Sequence, residues 1–147
     1  MGASEPMGAT GFNQRTIDEF HARNGLGVGP WRDNLLLMTS KGAKTNQDIT
    51  TPLVYRRQGK DFVVVASKGG APKHPLWYQN IQANPIVELE VASPGGTETC
   101  QASARVLPSG AERDRLFAYM TEVWPAFKDY ATKTERVIPI VILVRRA

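Results

Sequence analysis

Six short apolar runs, separated mostly by turn-length stretches, constrain this chain more than any other feature. They are Leu35–Met38, Thr51–Arg57, Phe62–Ala66, Ile86–Val91, Thr99–Leu107 and Ile138–Val144. Each has the length of a strand. The turn at Gly59 and the stretch Ser93-Pro94-Gly95-Gly96 are too short to hold a crossover helix. Hairpin spacing favours antiparallel pairing and a closed or nearly closed barrel over a doubly wound sheet. Two runs alternate, with Val87, Leu89 and Val91 and then Cys100, Ala102, Ala104 and Val106 facing inward, and Glu88 and Glu90 outward. Phe62–Ala66 does not alternate, as expected of a strand buried on both faces. Pro52 falls near the start of the second run, where a proline is tolerated.

Three helical stretches interrupt the strands. The first is expected to start at Asn13 as N-cap, with Phe12 and Ile17 at the spacing of a hydrophobic staple. Ile17 and Phe20 form its stripe, and Gly25, Gly27, Gly29 and Pro30 end it. So thin an apolar face suits a lid or a surface-seeking element better than a core helix. The second is short, opens at Pro75 and closes at Asn84-Pro85. The third begins with Ser109 and Glu112 in a capping-box pattern. Its apolar face is Leu116, Phe117, Met120, Val123 and Trp124; Pro125 breaks it, and Phe127 and Tyr130 continue on a shorter piece. Residues 1–11, small and polar, are expected to be a disordered tail, and 12–147 a single domain.

Composition removes several function classes. A net charge of +4 is too small, and too scattered, to argue for nucleic acid. One cysteine, Cys100, excludes an internal disulfide and fits a reducing compartment. With only His21 and His74 beside it, there is no metal-ligand cluster. No apolar run nears the ~20 residues of a membrane span, and the N-terminus lacks the basic and apolar regions of a signal peptide. A cytoplasmic location is expected. The phosphate-binding patterns Gly-x-Gly-x-x-Gly and Gly-x-x-x-x-Gly-Lys-Thr are missing, as is the Gly-x-Ser-x-Gly nucleophile elbow.

What remains is the stretch Ser67 to Asn80. A buried strand runs into Ser67-Lys68-Gly69-Gly70, a second cation, Lys73, follows, and then a helix starts. Free N–H groups and cations converge in such loops, which cradle anions; a glycine turn with solvated lysines is the competing reading. With Lys41–Lys44 as a second basic loop and Trp77, Trp124, Phe127 and Tyr130 as an aromatic set, the barrel suits a planar, anionic cofactor that brings its own chemistry.

These residues carry a resemblance. Thr50-Thr51-Pro52-Leu53, Val64-Val65-Ala66-Ser67-Lys68-Gly69-Gly70, Pro72-Lys73-His74-Pro75, Trp77-Tyr78, Asn80, Asn84-Pro85 and Ile138-Pro139 resemble the deazaflavin-dependent nitroreductase family of actinobacteria. The match runs from about Leu35 to the C-terminus. It implies a mainly β (α+β) fold: an antiparallel six-stranded split β-barrel with a helix at the N-terminus, one after the third strand and one before the last. It also implies hydride transfer from reduced coenzyme F-420 to a nitroaromatic, quinone or similar acceptor.

By position, the resemblance implies that Lys44 and Thr45 belong to the phosphate loop and that Thr51 and Pro52 line the cofactor side. Ser67, Lys68 and Gly69 meet the deazaflavin and its anionic tail, Leu76 and Trp77 pack beside the ring, and Asn80 lies one turn on. Trp124, Phe127 and Tyr130 line the acceptor pocket. Ser67 and Tyr130 are the candidate hydrogen-bond donors near the charge that develops on the acceptor. No dedicated base is needed, because solvent supplies the proton.

Two positions depart from the family. Its phosphate loop reads Gly-Arg-Lys-Ser-Gly with a further arginine beyond, whereas this chain has Ala43 and Ile49 at the two arginine positions. Losing both is expected to weaken cofactor binding by ~10²-fold unless Lys41 or another cation compensates. The alternatives are an FMN-dependent oxidoreductase and a non-catalytic binder of a fatty acid or other anionic amphiphile on the same barrel. A homodimer, and a peripheral membrane contact through the N-terminal helix, are further expectations.

Overall fold

The computed structural model describes residues 7–146, with side chains from Asn13 onward. In chain order the elements are α1 (Met7–Arg23), β1 (Leu35–Lys41), β2 (Asp48–Gln58), β3 (Asp61–Val65), α2 (Leu76–Ala83), β4 (Ile86–Ser93), β5 (Gly96–Leu107), α3 (Ala111–Thr121), α4 (Ala126–Thr132) and β6 (Ile140–Arg145). Short 3-10 turns occupy Gly29–Trp31 and Lys68–Gly70. The strands close in the order β1-β2-β3-β6-β5-β4, and every pair is antiparallel. The expected six-stranded α+β barrel is the fold of the chain.

Period-2 patterning explains how the barrel is filled and covered. Leu36, Met38, Phe62, Val64, Leu89, Val91 and Leu143 point into one core. Cys100, Ala104 and Val106 pack against that core, and Ala102 is buried in it. Trp77, Tyr78 and Ile81 of α2 join the same core. The opposite faces of β3 and β6, through Val63, Val65, Ile140 and Ile142, pack under Leu116, Met120 and Phe127 of α3 and α4. β3 is therefore buried on both faces, as its unbroken apolar run requires. Leu35 and Leu37, on the outer face of β1, pack under Phe20 of α1.

One strand is incompletely paired. β2 runs the full length of β1, from Val54 opposite Leu35 to Asp48 opposite Lys41. It pairs with β3 only from Tyr55 to Gln58. Beyond Val65 the chain leaves the sheet, so β3 gives Thr51 and Pro52 no partner on that edge. A proline, which has no N–H to donate, fits there. The sequence puts Pro52 near the strand start; it is instead mid-strand on an open edge.

Two helix starts differ from expectation. α1 begins at Met7, not at Asn13, so residues 7–11 are helical. Gly8 and Gly11, each costing roughly 1 kcal/mol in a helix, do not break it. The expected contact of Phe12 lies outside the described side chains, and residues 1–6 outside the described backbone. α3 begins at Ala111 with Gly110 as N-cap at φ 106° and no side-chain cap. The extra residue leaves Ser109 too far back to cap, and Glu112 is taken by Arg105 at 3.0 Å.

Phe20 is fully buried and ties α1 to the barrel. Phe20→Ala should cost roughly 3 kcal/mol in chemical unfolding. A loss under about 1 kcal/mol would mean that α1 only rests on the surface.

Candidate functional site

The open edge of β2 faces the segment from Ser67 to Pro75, and two cavities lie along this gap. The first, about 390 Å³, is lined by Thr50 and Thr51 of β2, Lys68 and Pro75 of the loop, and Leu76, Trp77 and Asn80 of α2, with Ile49 at one side. Asn13, Gln14 and Ile17 of α1 close it from above. The second, about 230 Å³, is lined by Pro52, Ser67, Lys68, Gly69, Trp77, Trp31, Trp124, Phe127 and Tyr130, among others. Lys68, Pro75 and Trp77 belong to both. The cavities therefore meet at one wall, of which the indole of Trp77, only 7% exposed, is the rigid part.

The sequence-predicted residues divide between these cavities. Thr51, Leu76 and Asn80 are in the first, with Lys68 and Trp77 at the junction. Pro52, Ser67 and Gly69 join the expected acceptor residues Trp124, Phe127 and Tyr130 in the second. Lys44 and Thr45 line neither. They lie on an exposed turn between β1 and β2, where the Thr45 hydroxyl accepts the Gln47 N–H at 3.2 Å. Asn80 ties that turn to α2, because its Oδ1 accepts the Ala43 N–H at 2.9 Å. Lys41 is spoken for: it holds Asp48 at 2.8 Å and faces a separate cleft with Glu88 and Gln101. Paired with Asp48, it lines neither of the two cavities.

The loop geometry follows from its glycines. Lys68, Gly69 and Gly70 all take positive φ, at 47°, 62° and 83°. A side chain at Gly70 would meet the Tyr130 carbonyl oxygen at 2.5 Å, so only glycine lets the loop rest on α4. On its other side the loop is held by Arg136. Its Nε donates to the Ala71 carbonyl at 2.8 Å and its Nη2 to the Ser67 carbonyl at 2.7 Å. Its Nη1 reaches the Ala66 carbonyl at 3.3 Å and His74 Nδ1 at 2.9 Å. The guanidinium can only donate, so His74 Nδ1 accepts and the imidazole is neutral.

Sequence reasoning missed three contributors. Trp31 reaches the second cavity from the turn after α1, where its ring lies 6.5 Å from that of Trp124. Gln14 lies above the first cavity, and Arg136 stands in a polar connection with no local pattern. Only tertiary structure brings them here.

A barrel with two cavities that share an aromatic wall has room for flat ligands on both sides of Trp77. A family model for F-420H(2)-dependent quinone reductases matches residues 13–145. The chain is 41% identical over 113 residues to an F-420H(2)-dependent quinone reductase of Mycobacterium tuberculosis, covering 76% of this chain and 73% of that protein. Among solved structures it is similar to an F-420-H2 dependent reductase, FDR-A, with TM-score 0.66, 37% identity, and coverage of 75% of this chain and 93% of that one. It is also similar to a domain-swapped dimer with TM-score 0.68 and 33% identity, covering 95% and 99% of the two chains. The chain belongs to the F-420H(2)-dependent quinone reductase family.

The residues present fit an anionic cofactor. Among the described residues, no aspartate or glutamate lines either cavity. Lys68 is exposed at the junction, and no carboxylate pairs with it among the described residues. Asn80, 2% exposed, has a side-chain N–H₂ group with no acceptor among the described residues. A buried donor in that state needs a partner.

Burial, and secondarily the Arg136 charge, hold the His74 pKa below its ordinary 6.5. The group facing it from α2 is the ring of Tyr78, at 4.7 Å. A depressed histidine pKa stabilises the fold above the unfolded value, and that stability is lost as pH falls through the folded value. The unfolding midpoint of the protein should therefore drop between about pH 7 and about pH 5, and drop less in His74→Phe. Parallel profiles would remove His74 from the account.

Proposed function

We propose that this chain transfers a hydride from reduced coenzyme F-420 to a quinone, with the cofactor in the cavity under α1 and the acceptor in the aromatic one. Coenzyme F-420 is the cofactor of the family to which the chain belongs, and that membership favours the enzyme over an amphiphile binder. The observation that carries the assignment of the two cavities is their shared wall. Lys68 and Trp77 line both, so two planar ligands meet there.

The bound cofactor supplies the hydride. The chain does the rest. Lys68, with Lys44 and Thr45 on the turn that Asn80 holds, attracts the anionic tail, while Gly69 lines the acceptor cavity. Leu76 and Trp77 flank the ring and Thr51 forms its floor, while Pro52 lines the acceptor cavity. Asn80 fixes the turn that carries Lys44 and Thr45. Ser67 and Tyr130 present hydroxyls to the acceptor, where negative charge develops. Trp124, Phe127 and Trp31 exclude water and provide flat apolar surface. That surface, poor in hydroxyls, favours quinones over nitro compounds. The described residues contain no helix long and apolar enough to cross a membrane. Among the described side chains of α1, Phe20 is buried against the barrel. The domain-swapped neighbour supports a homodimer.

Fluorescence titration with F-420, with FMN as control, tests the cofactor assignment. Binding of the deazaflavin alone is expected; preference for FMN, or binding of neither, would overturn it. Lys68→Ala should weaken F-420 binding by about 10-fold or more while leaving the melting temperature nearly unchanged. Tyr130→Phe should lower quinone turnover with little effect on cofactor affinity; the reverse pattern in steady-state rates would place Tyr130 on the cofactor side.

A further inference from the structure

Arg136 is an unusual cation. It spends four hydrogen bonds on three backbone carbonyls and a neutral histidine. Unlike Arg56, Arg105 and Arg145, it has no carboxylate partner among the described residues. Its charge is partly desolvated, since burial lowers its pKa. A carboxylate would make stronger, charge-neutralising bonds than carbonyls do. Here the carbonyls compensate it only as dipoles, and the positive charge stays in place behind the loop.

The three carbonyls are those of Ala66, Ser67 and Ala71, and they bracket Lys68, Gly69 and Gly70. All peptides are trans, so C=O and N–H of each unit point in opposite directions. Drawing the Ala66 and Ser67 carbonyls toward Arg136 turns the N–H groups of Ser67 and Lys68 away from it. Gly70, pressed on the Tyr130 backbone, fixes the far end. The loop is thus clamped from two sides, and its middle, Ser67 to Gly69, lines the cavities.

We propose that Arg136 is a positioning residue for the hydride-transfer reaction. It sets the Ser67–Ala71 loop in its ligand-receiving shape and holds an unneutralised positive charge behind it. This rests on the cofactor assignment above. Arg136 touches no ligand itself; it acts through Ser67 and Lys68.

The test compares F-420 affinity, melting temperature and steady-state quinone kinetics for wild type, Arg136→Gln and Arg136→Lys. Arg136→Gln should weaken F-420 binding by about 10-fold or more, the scale of one charged hydrogen bond. Arg136→Lys, which keeps the charge but not the fork, should recover part of that loss. Quinone turnover at saturating cofactor should also fall in Arg136→Gln and recover in part in Arg136→Lys, because Ser67, which the guanidinium holds through its carbonyl, lines the acceptor cavity. Wild-type affinity in Arg136→Gln, or no recovery at all in Arg136→Lys, would overturn the inference. If neither variant folds, the wild type decides. Protonating His74 sets a second cation against Arg136 and Tyr78 is the other group facing it, so F-420 affinity should fall more steeply toward about pH 5 in wild type than in His74→Phe. Superimposable affinity profiles would overturn it. Failure of wild type to bind F-420 at all would instead overturn the cofactor assignment.

Discussion

The structure depends on a mismatch of strand lengths. β2 is long enough to pair fully with β1, but β3 answers it for only four residues, Tyr55 to Gln58. A barrel that is otherwise closed therefore has one edge on which backbone groups need something other than a strand. The chain supplies a proline that asks for no partner on that edge, and a glycine-rich loop that shares two cavities with it. Polar backbone and cations meet apolar core at this gap, which is the combination a planar anionic cofactor requires.

The loop could not hold that shape by itself. Three successive residues with positive φ are conformationally costly, and Lys68 pays that cost without the freedom of glycine. Two neighbours over-determine it: the α4 backbone against Gly70 and Arg136 against three carbonyls. The helices that seem peripheral to the barrel thus serve the site. α2 plugs one end and brings Trp77, α4 supports the loop and brings Phe127 and Tyr130, and α1 covers the first cavity while Phe20 anchors it.

Much of this was legible in the sequence because it is local. Alternation in Ile86–Val91 and Thr99–Leu107, and its absence in Phe62–Ala66, follow from which faces are buried. The run Ser67–Asn80 declares itself through glycine, lysine and proline. The resemblance then supplied positions that no spacing rule contains, and all but Lys44 and Thr45 fall on the two cavities. What could not be read is tertiary. Trp31 follows Gly29-Pro30 in an ordinary turn, and Arg136 has no pattern around it; both matter only because the fold brings them to residues 60 or more positions away. The start of α1 was misjudged because Gly8 and Gly11 look like breaks, and the capping box at Ser109 because Gly110 adds one residue between cap and helix.

The central claim is that cofactor and acceptor occupy two cavities divided by Lys68 and Trp77. A crystal structure of the protein with F-420 tests it most directly. The account predicts the deazaflavin ring beside Trp77 in the cavity under α1, with the aromatic cavity left for the quinone. A ring bound in the cleft beside Lys41, Asp48 and Glu88 would contradict it.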